Sequence, residues 1–204
     1  YIIEKFPTRD HTERMLQHFG AKLTINIEEK NKKIICIKGQ NELTPAKINI
    51  PGDFSSAAFF IVAALIVPNS DICIRNIGIN PYRTGLLEVL SNMGGKIDVL
   101  NKKIENNEPI ADIRVRYSEL KGTEVPPNIS PSMIDEYPIL SIAACLAKGK
   151  TTLKGLNELK FKESNRLNSI FEMLQKFNVN VTESGNDLTI DNIKQKIEGD
   201  CMIN

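Results

Sequence analysis

The stretch Thr84 to Val99, TGLLEVLSNMGGKIDV, decides the fold class. It reads as an amphipathic helix, a glycine stop at Gly94 and an alternating strand entered at Lys96-Ile97. The same three-part pattern occurs at Thr12 to Ile27, TERMLQHFGAKLTINI, and at Arg166 to Val181, RLNSIFEMLQKFNVNV. Leu16, Leu90 and Leu174 hold matching positions. Three residues later come Phe19, Met93 and Phe177, then Gly20, Gly94 and Asn178. Glycine and asparagine are the residue types that tolerate the left-handed conformation of a helix stop. Repetition of one helix-stop-strand device signals an internal structural repeat.

A second kind of helix alternates with the first. One runs from Phe54 to Val67 with Asp53 as its cap; the other runs from about Glu136 to Lys148, started by Asp135 and stopped by Gly149. Both are rich in Ala and Ile and poor in charge, which predicts helices buried on nearly all sides. Short strands follow at Asp71 to Arg75 and at Thr151 to Leu156. The unit is therefore buried helix, strand, amphipathic helix, strand, strand, in about 80 residues. It occurs at 53–118 and at 135–190, and the tail of a further copy occupies 1–38. The expected fold is α/β, with several small four-stranded sheets around buried helices. Two Pro-bearing stretches interrupt it. Gln40 to Gly52 is a crossover candidate, and Gly122 to Ser132, with Pro126, Pro127 and Pro131, cannot be regular helix.

Composition narrows the function classes. The 204 residues carry a net charge of +1, with none of the basic excess of a general nucleic-acid binder. Any anion site has to be built from a few placed Lys and Arg residues. The longest apolar run, Ala57 to Val67, is too short to span a bilayer, and the chain does not open on a signal-peptide pattern. Cys36, Cys73, Cys145 and Cys201 are widely spaced, without metal-ligand spacing. Cys36, Cys73 and Cys145 sit in apolar runs and read as small buried hydrophobes in a reducing compartment.

Four polar stretches could carry chemistry. Lys162-Glu163-Ser164-Asn165-Arg166 opens an amphipathic helix, where two cations and exposed N–H groups suit a phosphate or carboxylate, with Glu163 placed to move protons. On spacing alone the string equally fits a solvated helix face with i,i+3 ion pairs. Asp135 precedes an almost uncharged helix, and both capping and catalysis suit it. Thr8 to Leu16 is a dense polar helix start, with Asp10 or Thr8 as cap and His11 beside it. Pro51 to Ala58 reads as a turn followed by a capped helix.

Taken together, TRDHTERML (Thr8 to Leu16), PGDFSSAA (Pro51 to Ala58), SELKGTEVPP (Ser118 to Pro127), IDEYPIL (Ile134 to Leu140) and KESNRL (Lys162 to Leu167) resemble the 5-enolpyruvylshikimate-3-phosphate synthase family. The resemblance covers nearly the whole chain. It implies two lobes of three βαβαββ units around buried helices, with the active site in the cleft between them. Residues 1–50 would finish one lobe and 51–204 would form most of the second. The implied reaction transfers the enolpyruvyl group of phosphoenolpyruvate to the 5-hydroxyl of shikimate-3-phosphate, without metal or organic cofactor. Asp135 would accept the proton of that hydroxyl and bind the substrate, with Lys162 on the same hydroxyl. Glu163 would handle protons at the phosphoenolpyruvate methylene, and Arg166 would pair with its carboxylate or phosphate. Thr8 stands where the family usually has Ser, on the shikimate phosphate, with His11 near it. A cytoplasmic enzyme, monomeric when intact and without nucleic-acid or membrane partners, is implied.

The family's early Lys and Arg residues, its first phosphate-binding serines and its late Asp-His-Arg segment are not among these residues, so residues 1–204 by themselves are expected to be nearly inactive. Two rivals stand beside this reading. A sister enzyme acts on UDP-N-acetylglucosamine through a reactive loop cysteine, and no cysteine here lies in a polar loop beside cations. A non-catalytic α/β module is the other; it would leave Asp135, Lys162, Glu163 and Arg166 scattered.

Overall fold

A computed structural model describes residues 1–28 and 32–192. The chain runs β1 (Ile2–Glu4), α1 (His11–His18), β2 (Leu23–Ile27), β3 (Lys33–Ile37), α2 (Phe54–Ile66), β4 (Asp71–Gly78), α3 (Gly85–Asn92), β5 (Lys96–Glu105), β6 (Glu108–Arg116), β7 (Glu124–Val125), α4 (Tyr137–Leu146), β8 (Gly149–Leu153), α5 (Arg166–Lys176), β9 (Asn180–Ser184) and β10 (Asp187–Asn192). Short 3₁₀ turns occupy Pro127–Ser132 and Leu156–Phe161.

The three helix stops are built alike. Helices α1, α3 and α5 end at Phe19, Met93 and Phe177, and the next residue is left-handed: Gly20 at φ 84°, Gly94 at φ 90°, Asn178 at φ 58°. The amides of Ala21, Gly95 and Val179 donate to the carbonyls of Leu16, Leu90 and Leu174 at 2.9, 2.8 and 3.0 Å. Those of Gly20, Gly94 and Asn178 donate to Gln17, Ser91 and Gln175. This is the double hydrogen bond of the Schellman motif, made three times. The matched leucines are therefore the residues whose orphan carbonyls the stop satisfies.

Each stop feeds an antiparallel hairpin whose last strand lies inside its sheet. The orders are β1-β3-β2, β4-β6-β5 and β7-β8-β10-β9. Only the last, among the described residues, reaches the four strands expected. Its extra member, β7, pairs parallel with β8. The equivalent place in the second sheet holds a single parallel bridge, Gly52 to Ile77, because Pro51 has no N–H to extend a ladder.

The main core joins α2, α3, α4 and α5 with the inner faces of the second and third sheets. Phe54, Ala58, Ile61, Leu65, Leu140, Ala143 and Ala144 are fully enclosed. The expectation of burial on all sides fails for α2, where Phe59 and Phe60 are 59% and 63% exposed. Its packing partners, α4, β4 and β6, contact its other side. Helix α4 is also shorter than expected, ending at Leu146. Cys145 is buried as expected, but Cys36 is only half-buried and Cys73 is exposed. Strand alternation directs Ile72 and Ile74 toward the core side and leaves Cys73 outside. Cys201 lies outside the described residues. Among the described residues no helix is long and apolar enough to cross a membrane.

The first sheet holds a buried charge that the alternating pattern hid. Lys33 is 1% exposed, and its ammonium meets Glu13 at 2.5 Å and Glu4 at 3.3 Å, with the Tyr82 ring 5.7 Å away. Burial pulls the Lys33 pKa down, but the Glu13 and Glu4 carboxylates more than offset this and leave it raised.

Helix α1 is also tied to the β5–β6 hairpin. The two-residue turn Asn106-Asn107 has both residues at positive φ, 50° and 64°. Arg14 donates from Nη1 to the Asn107 carbonyl at 2.8 Å, and Asn107 Nδ2 donates back to the Arg14 carbonyl at 3.3 Å. Asn106 Nδ2 donates to the Asn49 carbonyl at 2.8 Å.

Candidate functional site

The site begins at the mouth of α4. Sequence reading makes Asp135 a helix cap; the structure corrects this. Glu136 is the cap residue and no side chain caps the helix. Tyr137 and Pro138 are the first two helical residues, so the N–H that a cap would serve at the second position does not exist. The Asp135 carboxylate is left to face outward. Its Oδ2 accepts from Arg9 Nη2 at 2.5 Å and its Oδ1 from Arg166 Nη1 at 2.9 Å. Burial pushes the Asp135 carboxyl up, but the hydrogen bonds and charges of Arg9 and Arg166 outweigh it and hold it below the usual carboxylate range. Asp135 is therefore ionised and bracketed by two guanidiniums.

Arg166 is the first residue of α5, whose cap is Asn165; Asn165 Oδ1 accepts from the Asn168 amide at 3.1 Å. The expectation that Glu163 begins that first turn is thus corrected: Lys162 and Glu163 precede the helix. Arg166 Nη2 also donates to Glu163 Oε2 at 2.7 Å, so one guanidinium joins the two carboxylates. Glu163 is 81% exposed, and its own backbone N–H and Arg166 hold it below the usual range. Lys162 does not bond Asp135. Its ammonium pairs with Glu158 at 3.2 Å, back along the 3₁₀ turn. Its charge still acts on Glu163.

Thr8 is exposed and donates to Glu4 Oε1 at 3.4 Å. Its neighbour Arg9, which sequence reading did not single out, is what reaches the α4 mouth. Asp10 is the α1 cap residue but makes no capping bond. Instead it accepts from Arg14 Nε at 2.8 Å and Asn80 Nδ2 at 2.6 Å. Burial raises the Asp10 pKa, and these two donors more than reverse that. His11 Nδ1 lies 2.7 Å from Glu108 Oε1. This second polar cluster fixes the segment that presents Thr8 and Arg9.

A cavity of about 300 Å³ opens beside that cluster, lined by His11, Met15, Ile48, Pro51, Phe54, Arg83 and Glu108 among others. None of Thr8, Asp135, Lys162, Glu163 or Arg166 lines it. The charged group at the α4 mouth is a surface feature, where Asp135, Arg166 and Glu163 meet and where Thr8 and Lys162 do not bond directly. Two guanidiniums on one carboxylate can exchange it for an anionic ligand, because bidentate Arg binds carboxylate and phosphate alike.

Comparison with known proteins identifies the family. The family model described as EPSP synthase (3-phosphoshikimate 1-carboxyvinyltransferase) matches residues 2–201. A 3-phosphoshikimate 1-carboxyvinyltransferase of Sphingopyxis alaskensis is 54% identical over 190 residues, covering 93% of this chain and 43% of its own length. That of Mesorhizobium japonicum is 52% identical, covering 93% and 42%. Among solved structures, EPSP synthase from Acinetobacter baumannii superposes with a TM-score of 0.83 at 41% identity, over 93% of this chain and 42% of that one. The enolpyruvyl transferase NikO of Streptomyces tendae, at 15% identity and a TM-score of 0.65, shares the fold. The chain thus spans less than half the length of the relatives it matches.

Proposed function

The chain belongs to the EPSP synthase family, and on that premise we propose that the protein carrying it transfers the enolpyruvyl group of phosphoenolpyruvate to the 5-hydroxyl of shikimate-3-phosphate, releasing phosphate. Residues 1–50 end one lobe and 51–204 form most of the other. The observation that carries this reading is the meeting of Asp135 and Arg166 at two helix starts far apart in sequence.

In this reading Asp135 takes the proton of the 5-hydroxyl as its oxygen attacks the central carbon of phosphoenolpyruvate. The methylene carbon takes a proton from Glu163 or Lys162, giving a tetrahedral intermediate. The bond to the phosphate oxygen then breaks, phosphate leaves, and the methyl group returns a proton to restore the double bond. Arg166 holds the phosphoenolpyruvate carboxylate or phosphate. Thr8 donates to the shikimate phosphate. The ion pairs of Asp135 with Arg9 and Arg166 fit this sequence of events. Anionic substrate groups compete with Asp135 for Arg9 and Arg166, and each guanidinium drawn away makes the carboxylate a stronger base. The substrates thereby switch on their own base.

The near-zero net charge and the half-buried or exposed thiols of Cys36 and Cys73 support a cytoplasmic enzyme of small molecules. Phosphate release from the two substrates together, by the protein carrying this chain with both lobes present, tests the reading. Release that needs both substrates is expected; release from neither, or from phosphoenolpyruvate alone at the same rate, overturns it.

A further inference from the structure

We propose that Glu136 is a positioning residue, which with Ser55 and Arg83 fixes the start of α4 and so the placement of Asp135; the inference rests on the enolpyruvyl-transfer reading above. Glu136 is the chain neighbour of Asp135 and is 2% exposed. Its backbone closes the start of the helix: its amide donates to Met133 at 3.0 Å and its carbonyl accepts from Leu140 at 2.9 Å. Its side chain, however, leaves its own helix. Ser55 Oγ, in the first turn of α2, donates to Glu136 Oε1 at 2.5 Å. The same hydroxyl accepts from Arg83 Nη2 at 2.7 Å, and that nitrogen also donates to Asp53 Oδ1 at 3.0 Å. One polar chain therefore runs from the capped end of α2 to the mouth of α4.

Direction matters in this chain. A hydroxyl that accepts from a guanidinium is polarised toward its own acceptor, so the Ser55–Glu136 bond is strengthened by Arg83. A carboxyl placed between two apolar helices is costly unless it is bonded, and a methyl group would fit such packing at lower cost. The side chain is thus better explained by what it holds in place than by the burial itself. What it holds is the peptide that carries Asp135, whose two oxygens meet separate guanidiniums at 2.5 and 2.9 Å. A misplacement of about 1 Å at a reacting group costs on the order of a hundredfold in rate.

The test is turnover in the protein carrying this chain, with both lobes present. Glu136→Ala is expected to lower kcat for phosphate release about 30- to 100-fold, with KM for both substrates within about threefold. Glu136→Gln keeps an acceptor for Ser55 and is expected to recover at least about tenfold of that loss. Ser55→Ala is expected to lower kcat about fivefold or more, and the double variant to be no worse than Glu136→Ala by more than about twofold, since both break one chain. An Ala variant turning over within about threefold of wild type, or losing only melting temperature or KM, overturns the inference. So does a Gln variant that recovers nothing, which would make Glu136 a proton-transfer group. Should Glu136→Ala fail to fold, Ser55→Ala and Glu136→Gln decide on the same criteria. A wild type that releases no phosphate overturns both the functional reading and this inference; an active wild type with indifferent variants overturns the inference alone.

Discussion

Asp53 and Asp135 stand at the same place in two copies of one repeat, just before an apolar helix, and do opposite work. Asp53 is a cap: it has extended backbone, and its Oδ2 accepts from the Ser56 amide at 2.7 Å and from Ser56 Oγ at 2.9 Å. Asp135 caps nothing and faces two arginines. The difference lies in the residues that follow. Phe54-Ser55-Ser56 offers a third-position amide to the cap, whereas Tyr137-Pro138 begins α4 with a proline and Glu136 inserted before it. A proline at the second helical position withdraws a donor and frees the preceding carboxylate for other partners. One repeat position caps a helix in one copy and in the other is free to bind two guanidiniums, the role on which the proposed chemistry rests.

The contrast can be broken most sharply at Asp135. In the protein carrying this chain, with both lobes present, Asp135→Asn is expected to lower kcat about 10³-fold with a melting temperature close to wild type, checked by phosphate release and calorimetry. A large loss of stability with normal turnover would reverse the assignment. Next comes Arg166→Lys, which keeps the charge but cannot bridge Asp135 and Glu163 in fork geometry; a tenfold to hundredfold loss in kcat/KM is expected, at about 1.5–3 kcal/mol for a bond between charged groups. Asp53→Ala should read the other way. Chemical denaturation should show a loss of about 1 kcal/mol, as for other caps, while kcat changes less than about threefold.

The smallest effects are those of pH. Burial pushes the Asp53 carboxyl up, but the Ser56 donors and Arg83 hold it below its ordinary value. Its contribution to stability is therefore present above about pH 4 and is lost as pH falls through the lower folded value. The gap in melting temperature between wild type and Asp53→Asn, open at neutral pH, should narrow in acid. Glu136 has the opposite sign. Burial, with the Asp135 charge adding to it, raises its pKa despite the Ser55 bond. Its contribution is full below about pH 4.3 and is lost as pH rises through the folded value, so Glu136→Gln should gain stability relative to wild type from acid toward neutral pH.

What could be read from sequence was local. The Leu-Phe-Gly stop of α1, the Leu-Met-Gly stop of α3 and the Leu-Phe-Asn stop of α5 specify their own hydrogen bonds within six residues, so the repeat is legible in the sequence. The Asp53 cap was legible for the same reason. That Asp135 and Arg166 face one pocket was expected through the family resemblance; their direct ion pair was not. Arg9 was missed because its partner lies 126 residues away, and the Ser55–Glu136 bond because 81 residues separate the two. Contacts of that kind leave no periodicity in the chain. Lys33 reads as a surface residue on an alternating strand until Glu13 and Glu4 close over it. Lys162, which the resemblance sets on the same substrate hydroxyl as Asp135, pairs here with Glu158, four residues behind it.

The Asn106-Asn107 turn acts as a spacer gauge. It touches neither Asp135 nor Arg166, yet its grip on both the carbonyl and the guanidinium of Arg14 helps to set how far α1 stands from the second sheet. Lengthening that turn by one residue would shift the whole of α1 as a rigid rod and change the reach of Arg9, five residues upstream.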